Sequence, residues 1–572
     1  MWVLPFLYYN HAYPITTFYQ EWGAALLGLC AMPLLLGARH WRQPEIPRVI
    51  LLPLGLLLLV LVQYLLGKIP SLEQALLFAM YFLWMSLLIM LGQHLRRALG
   101  LPVLATALAG FLVLGAELNA LAGFVQHYRW PSFLSSVVTV KNAAAVYGNI
   151  AQPNHYANYI ALGLISLGLL QVRYPLRVWQ TALLAAPLLF VLVLSGSRSA
   201  WLYMLFLAGG TYLWQRRDKA SRPVFWYTLS LLAGFVVMHF AVQMPGMAGT
   251  GGTVTSLERM ADEAGSAAIR LYLWHESWQI FAHFPAFGAG FGQFAWQHFQ
   301  LVPELRDTNI SGLYNNAHNL VMQLAAETGA AGLLILGGTL LSWGRRAWFE
   351  RHTVEHWWGY ALLAVLAIHS LLEYPLWYGY FIGIAALLLG MLDNGGYRLA
   401  MGKMARLTVV VVLLCGMLSL VQLFQGYRKL ESALALSPAS GNAATYNVRL
   451  REHLLEASEC ILLRPYAELF MSGLIEPGPE RLAEKLELNE RAMRFVPTAS
   501  VVYRQAWLLA LSGRVEEAKR QLQQALWSYP AGFRDAHVKL GQMALKDPAH
   551  FSALLEFATQ KNEEYQRAVS GK

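Results

Sequence analysis

The feature that most constrains this chain is the recurrence, through its first 424 residues, of apolar runs long enough to cross a bilayer. "VILLPLGLLLLVLVQYLLG" from Val49 and "LTVVVVLLCGMLSLVQLF" from Leu407 are two of them. About 20 mostly apolar residues in a helix match the thickness of the hydrocarbon layer. Composition agrees: 56% of the 572 residues are hydrophobic and 13% charged, where soluble domains carry about 25% charged residues. The expected fold class is an all-α polytopic membrane protein embedded in a lipid bilayer.

A net charge of +10 raises the question of nucleic acid, and the placement of the charges answers it. The basic residues of the membrane region sit in tight clusters between apolar runs, at 39–48, 94–97, 173–177, 216–222, 345–351 and 398–406. These clusters hold seventeen Lys and Arg, against seven in the alternating connections at 10–21, 68–74, 127–157, 195–200, 244–317 and 374–376. Loops rich in Lys and Arg stay in the cytoplasm. The charge therefore encodes topology, and no nucleic-acid partner is expected. The alternation gives about 13 spans. The large connection of about 244–317 faces outward, to the periplasm if the membrane is a bacterial inner membrane.

Past Phe424 both charge signs mix and the chain turns amphipathic. Two domains are expected: a transmembrane domain over 1–424 and a soluble helical domain over 425–572 on the outer side. Within the second, Ala506, Gly513, Ala518, Ala525 and Pro530 fall at tetratricopeptide-like offsets. Ala492 and Pro497 precede Ala525 and Pro530 by 33 residues each, near that repeat's period. The three cysteines form no disulfide framework and no metal-type spacing. No metal and no cofactor is expected. The opening run "MWVLPFLYY" is too short to cross unaided, which implies a clipped start or a helix capped by its neighbours.

Polar side chains beside a membrane interior are costly, so each outward cluster is a candidate. "GNIAQPNHYANY" holds Gln152, Asn154, His155 and Asn158. "LSGSRSAWL" puts Arg198 in a very short turn, where snorkelling is the bland alternative. "AAIRLYLWHESWQIF" carries Arg270, His275 and Glu276. "NNAHNLVMQLAAETGAAG" presents His318 and Asn319, residues that could also serve as helix-start groups. "HSLLEYPLWYGYF" brings Glu373 and Tyr374. His155, His275, His283, His298 and His369 read as structural. Two arginines on one membrane face suit a pyrophosphate, which guanidinium binds in bidentate fashion. A neutral histidine beside them can take a proton from a hydroxyl.

The stretch from His318 fits the pattern His-[Asn/Ser/Gln]-x9-Gly-x-x-Gly and resembles the O-antigen ligase and polymerase superfamily. "HAYPITTFYQEW", "QPNHYANY" and "HSLLEYPLWYGYF" resemble more specifically its bacterial protein O-oligosaccharyltransferases (PglL type), which glycosylate pilins and other envelope proteins. The resemblance covers nearly all of 1–424. It implies the ligase-type helix arrangement, with the outer loop helical and lying over the site. It implies an undecaprenyl-diphosphate-linked oligosaccharide as donor and a Ser or Thr of a periplasmic, pilin-like protein as acceptor. His318 then matches the essential loop histidine, and Arg198 and Arg270 match the two arginines, giving the catalytic set. Gln152 and Tyr374 match positions important in the oligosaccharyltransferase branch, and the expected substrate-binding set is Gln152, Asn154, Tyr374, Glu373 and Asn319. Asn319 and Glu327 also read as residues that set helix position, and Gly329 and Gly332 as a surface admitting a neighbouring helix. The nearest rival readings are an O-antigen ligase acting on lipid A-core and an O-antigen polymerase. A transporter of the lipid-linked sugar is the rival from another class, and would place its polar groups in broken helices at mid-membrane.

Overall fold

A computed structural model describes residues 1–572 apart from 38–44, 175, 248, 250–254, 257–263, 307–309, 349–351, 399–401, 437–442 and 571–572. The described residues are mostly helical, with one short ribbon pairing β1 (Glu45–Pro47) with β2 (Gly396–Arg398). A four-residue helix, α1 (Leu4–Leu7), is followed by α2 (Phe18–Ala31), α3 (Leu51–Leu65), α4 (Leu72–Leu99) and α5 (Leu101–Tyr128). Next come α6 (Pro153–Arg173), α7 (Val178–Leu194), α8 (Ser199–Arg217) and α9 (Arg222–Ala241). The segments Arg48–Leu65, Leu72–Leu99, Leu101–Tyr128, Lys219–Ala241, Leu320–Trp348 and Arg406–Leu434 are long and apolar enough to cross a membrane. Val178–Leu194 and Gly379–Leu392 are apolar but shorter.

Local chemistry sets the boundaries. Ser71 caps α4 by accepting from Gln74 N at 3.1 Å, and Gly100 at φ 81° ends it before Pro102 opens α5. The opening run forms the short α1, and Trp2 and Phe6 are buried among its neighbours. The Phe6 ring stacks on Tyr159 at 4.0 Å between centroids. In the bundle centre α4 lies against α14 (Gly379–Leu392). A Cβ at Gly92 would collide with the Leu387 carbonyl, and one at Gly390 with that of Ile89. Small residues let the two backbones touch, the packing that drives helix association in lipid.

The basic clusters meet at one end. Arg97 pairs with Glu45 of the ribbon, Arg346 with Asp393 at 3.5 Å, and Arg173 at the end of α6 with Glu355 at 3.4 Å. Glu355 begins α13 (Val354–Ser370), so the start of α6 and the end of α13 lie at the opposite end.

The large connection carries α10 (Ala264–His283) and α11 (Phe294–Leu305), and leads to α12 (Leu320–Trp348). Gly329 breaks α12 at φ 62°, ψ −160°, a region open essentially to glycine alone. The expectation that Gly329 and Gly332 admit a neighbouring helix is corrected at Gly329. The close partner is the loop after α10: Ala289 N and Gly290 N donate to Ala326 O and Glu327 O, while Ala330 N and Ala331 N donate to Pro285 O and Ala286 O. The break exposes backbone groups that a helix could not satisfy and an irregular loop can. Gln63, at the end of α3, joins the seam by donating to Phe287 O and Glu327 O and accepting from Phe291 N.

α15 (Gly402–Leu434) runs unbroken through residue 424, so the change of composition there falls inside one helix. Beyond it lie α16 (Ala443–Ser458), α17 (Arg464–Gly473), α18 (Leu482–Phe495), α19 (Ala499–Leu511), α20 (Val515–Ser528), α21 (Phe533–Lys546) and α22 (Pro548–Ser570). Ala492, Ala506, Ala518 and Ala525 are fully buried at the crossings of these helices. Their small side chains permit the close contacts of successive hairpins. The core they build is shared with Phe299 and Val302 of α11.

Candidate active site

The turn from α13 into α14 is tied by Glu373 N donating to His369 O and Trp377 N donating to Tyr374 O. It lifts Glu373 to the end of the bundle remote from the basic ribbon. There the carboxylate, 5% exposed, receives three donors from three distant parts of the chain. Asn154 Nδ2 at the start of α6 donates to Oε1 at 2.8 Å. Arg270 Nη2 on α10 donates to the same oxygen at 3.0 Å. His318 Nδ1 lies 2.8 Å from Oε2. Burial pushes the Glu373 carboxyl up, but the His318 hydrogen bond and charge, with His155 and Arg270, outweigh it and hold the group below its usual range. His318 and Arg270 themselves remain more than a quarter exposed, 29% and 26%, enough to be reached from outside.

The segment before α12 aims His318. Asn316 Oδ1 accepts from His318 N at 2.7 Å, and Gln323 Oε1 accepts from Ala317 N at 2.6 Å. His318 is thereby held at φ 51°, a conformation that costs a non-glycine residue about 1–3 kcal/mol and recurs at functional sites. Asn319 Oδ1 caps α12 by accepting from Val321 N and Met322 N, and Asn319 Nδ2 donates to Leu371 O at 3.1 Å. The helix thus begins at Leu320, two residues after His318, and Asn319 fastens it to the Glu373 turn.

Gln152 Oε1 caps α6 by accepting from His155 N at 2.5 Å. Asn154, besides Glu373, accepts from Ser197 Oγ at 2.9 Å, and Arg198 is the next residue, half-buried at the start of α8. The Tyr374 and His318 rings lie nearly perpendicular, 5.1 Å between centroids at 78°, and burial together with Glu373 raises the tyrosine's phenol. The structure therefore joins His318, Arg270, Asn154, Glu373 and Tyr374 directly. Gln152, Asn319 and Arg198 flank them.

Ser197 escaped the sequence reading, although it sits inside the same "SGSRSA" turn as Arg198. Behind Glu373 lies a buried chain in which His155 Nδ1 and His369 Nε2 are 2.8 Å apart and Tyr203 OH is 2.9 Å from His369 Nδ1. Glu276 is instead fully buried against α11, its two oxygens 2.9 and 3.0 Å from His298 Nδ1.

Comparison with known proteins bears on the same residues. Three family profiles match in chain order: "Protein glycosylation ligase" over 146–170, "O-Antigen ligase" over 181–337, and "Virulence factor membrane-bound polymerase, C-terminal" over 357–541. The first includes Gln152 and Asn154, the second Arg198, Arg270 and His318, the third Glu373 and Tyr374. A "General O-oligosaccharyltransferase" from Acinetobacter baylyi is 24% identical over 535 residues, covering 91% of this chain and 89% of that protein. The chain is thus similar to the O-antigen ligase superfamily and, within it, to the protein O-oligosaccharyltransferases. That similarity supports a glycosyltransferase of the membrane. The segments that the profiles match separately are the ones the fold gathers around Glu373.

Proposed function

We propose that this oligosaccharyltransferase-type protein moves an oligosaccharide from an undecaprenyl-diphosphate donor to Ser or Thr hydroxyls of periplasmic proteins, pilins among them. The observation that carries the reading is the meeting of His318 and Arg270 on one carboxylate, at the end of the bundle away from the basic clusters. In this reading that end faces the periplasm from the inner membrane. Residues 1–424 form the catalytic domain of about 13 spans, and 425–572 a tetratricopeptide-like domain beside it.

The acceptor oxygen attacks the anomeric carbon, with inversion. The bond from that carbon to the phosphate oxygen breaks, and its electron pair leaves on the pyrophosphate. His318 takes the hydroxyl proton, a role worth about 10²–10⁴-fold in rate. Arg270 and Arg198 meet the charge that grows on the leaving group, metal-independently, since guanidinium pairs supply the positive charge. Asn154, Gln152 and Tyr374 shape the cleft. The break in α12 offers no opening for a transport path, because the backbone groups on both sides of Gly329 are taken by residues 285–290.

Coexpression with a lipid-linked glycan and a pilin-like acceptor, followed by intact-mass analysis, tests the reading. A mass increment of one glycan is expected, and an unmodified acceptor overturns it. Arg270→Ala and Arg198→Ala should each cost about 2–4 kcal/mol in the transition state, with Lys restoring only part. Unchanged transfer in both Ala variants would remove the pyrophosphate role. The ligase and polymerase profiles favour a second reading, transfer to lipid A-core or to another repeat unit. Lipid A-core as a competing acceptor separates the two.

A further inference from the structure

We propose that Glu373 is the positioning residue of the site: it holds His318 in the tautomer that can act as a base, and does so without touching substrate. The inference rests on the transfer chemistry proposed above and adds to it the group on which the base depends.

An ionised carboxylate accepts hydrogen bonds and donates none. With Glu373 held below its usual carboxyl range, the proton in the 2.8 Å contact to His318 belongs to Nδ1. In the neutral ring the lone pair then lies on Nε2. A buried carboxylate fixing a histidine's tautomer and orientation is the logic of a catalytic triad, reached here on helices and turns. Two features show that Glu373 serves the protein and not the substrate. It is almost fully buried, and its two oxygens are already divided among Asn154, Arg270 and His318. Those donors come from α6, α10 and the segment before α12, so one carboxylate registers three elements that carry the site. Arg270 spends one Nη2 hydrogen on this contact, and a guanidinium has four further N–H groups for a phosphate. The charged and titratable neighbours of the pair are Arg270 on α10, His155 on α6, and Tyr374 on the same turn.

Glu373→Gln is a sharp test because an amide cannot satisfy all three donors. If its oxygen faces Asn154 and Arg270, its NH2 faces His318 Nδ1, and the ring must carry its proton on Nε2 instead. The reverse orientation sets the NH2 against two donors, one of them cationic, and is disfavoured. The base is lost while Arg270 keeps its partner. Glu373→Gln should therefore lower kcat at least about 100-fold, with KM for donor and acceptor within about twofold of wild type. Glu373→Asp, which retains both acceptor oxygens, should recover at least about tenfold of that loss. Nitrogen-15 NMR of labelled histidine in the full chain should show His318 protonated at Nδ1 in wild type and at Nε2 in Glu373→Gln.

A raised KM at unchanged kcat would mean direct substrate contact and overturn the proposal. So would a Glu373→Gln rate within threefold of wild type, or a wild-type ring carrying its proton on Nε2. The wild-type spectrum decides the matter even if the Gln variant folds poorly. Failure here is distinguishable from failure of the transfer reading. A wild-type protein that glycosylates no acceptor sinks the reading itself, whereas an active wild type with an inactive His318→Ala and an active Glu373→Gln removes only Glu373's role.

Discussion

At the scale of single residues, the geometry around His318 separates proton transfer from mere positioning. The ring is more than a quarter exposed, fixed on one side by Glu373 and nearly perpendicular to the Tyr374 ring, with its backbone already held by Asn316. His318→Ala should thus leave insertion and folding intact and drop transfer to a few per cent of wild type or less, read by acceptor mass at equal protein level. His318→Gln should stay inactive, since an amide keeps a hydrogen bond but takes no proton at working pH. Near-normal transfer by the Gln variant across pH 6 to 8 would make His318 a positioning residue. Glu373 supplies a prediction about acid. Its folded-state affinity for a proton is depressed, so its pairing stabilises the protein above the ordinary carboxyl pKa of about 4. That stabilisation is lost only as pH falls through the lower folded value. Protease cleavage of the connection before α12 should stay constant from pH 7 to about pH 5 and rise only below about pH 4. Loosening between pH 7 and pH 5 would contradict the clamp. His318, Arg270 and Tyr374 could be singled out from short motifs. The central place of Glu373 could not, because its partners lie at 154, 270 and 318, and no spacing in a single sequence links them.

At the scale of elements, α12 and the loop after α10 form one unit through the break at Gly329. The glycine pattern marked these positions, but a close approach by a helix and one by an irregular loop ask for the same small residues. Only the φ/ψ of Gly329 and the four backbone hydrogen bonds across the seam tell them apart. Gly329→Ala meets two obstacles. The residue would have to hold φ 62°, and its Cβ would stand 2.6 Å from Gly288 N and 2.7 Å from the Ala286 carbonyl carbon. The conformational strain alone is about 1–3 kcal/mol, and two backbones cannot yield as a side chain would. Gly337→Ala on the same helix is the control, since a Cβ there meets nothing within 4 Å. Thermal unfolding in detergent should show Gly329→Ala clearly destabilised and Gly337→Ala unchanged or slightly raised, as replacing a helical glycine favours. Equal behaviour of the two would mean the seam can shift.

At the scale of the whole molecule, the C-terminal helices brace the helix that carries Arg270. The path is continuous: Glu276, on α10 with Arg270, contacts His298 Nδ1, and His298 Nε2 is 3.2 Å from Gly312 O. Gly312 N in turn donates to Ser528 O at the end of α20 at 2.7 Å. Gln524 Nε2 donates to Gln300 Oε1 at 2.9 Å, and Phe299 and Val302 insert into the tail's own core, both 1% exposed. Composition separated the tail from the spans but could not show this docking. The apolar face of α11 has the same periodicity whether it meets lipid, the bundle or the tail. Truncating a buried phenylalanine costs about 3–5 kcal/mol. Here the loss falls on the joint between α11 and the tail, leaving the bundle around α4 and α14 untouched. Phe299→Ala should therefore expose the tail to protease while the membrane domain keeps its melting temperature. It should also lower transfer several-fold, because α10 loses the far anchor of Glu276 and His298. Phe533→Ala, within the tail core but away from α11, destabilises the tail without removing that anchor residue. If transfer tracks tail stability equally in both variants, the brace through α11 is wrong. A selective loss in Phe299→Ala places the link at the α11 joint.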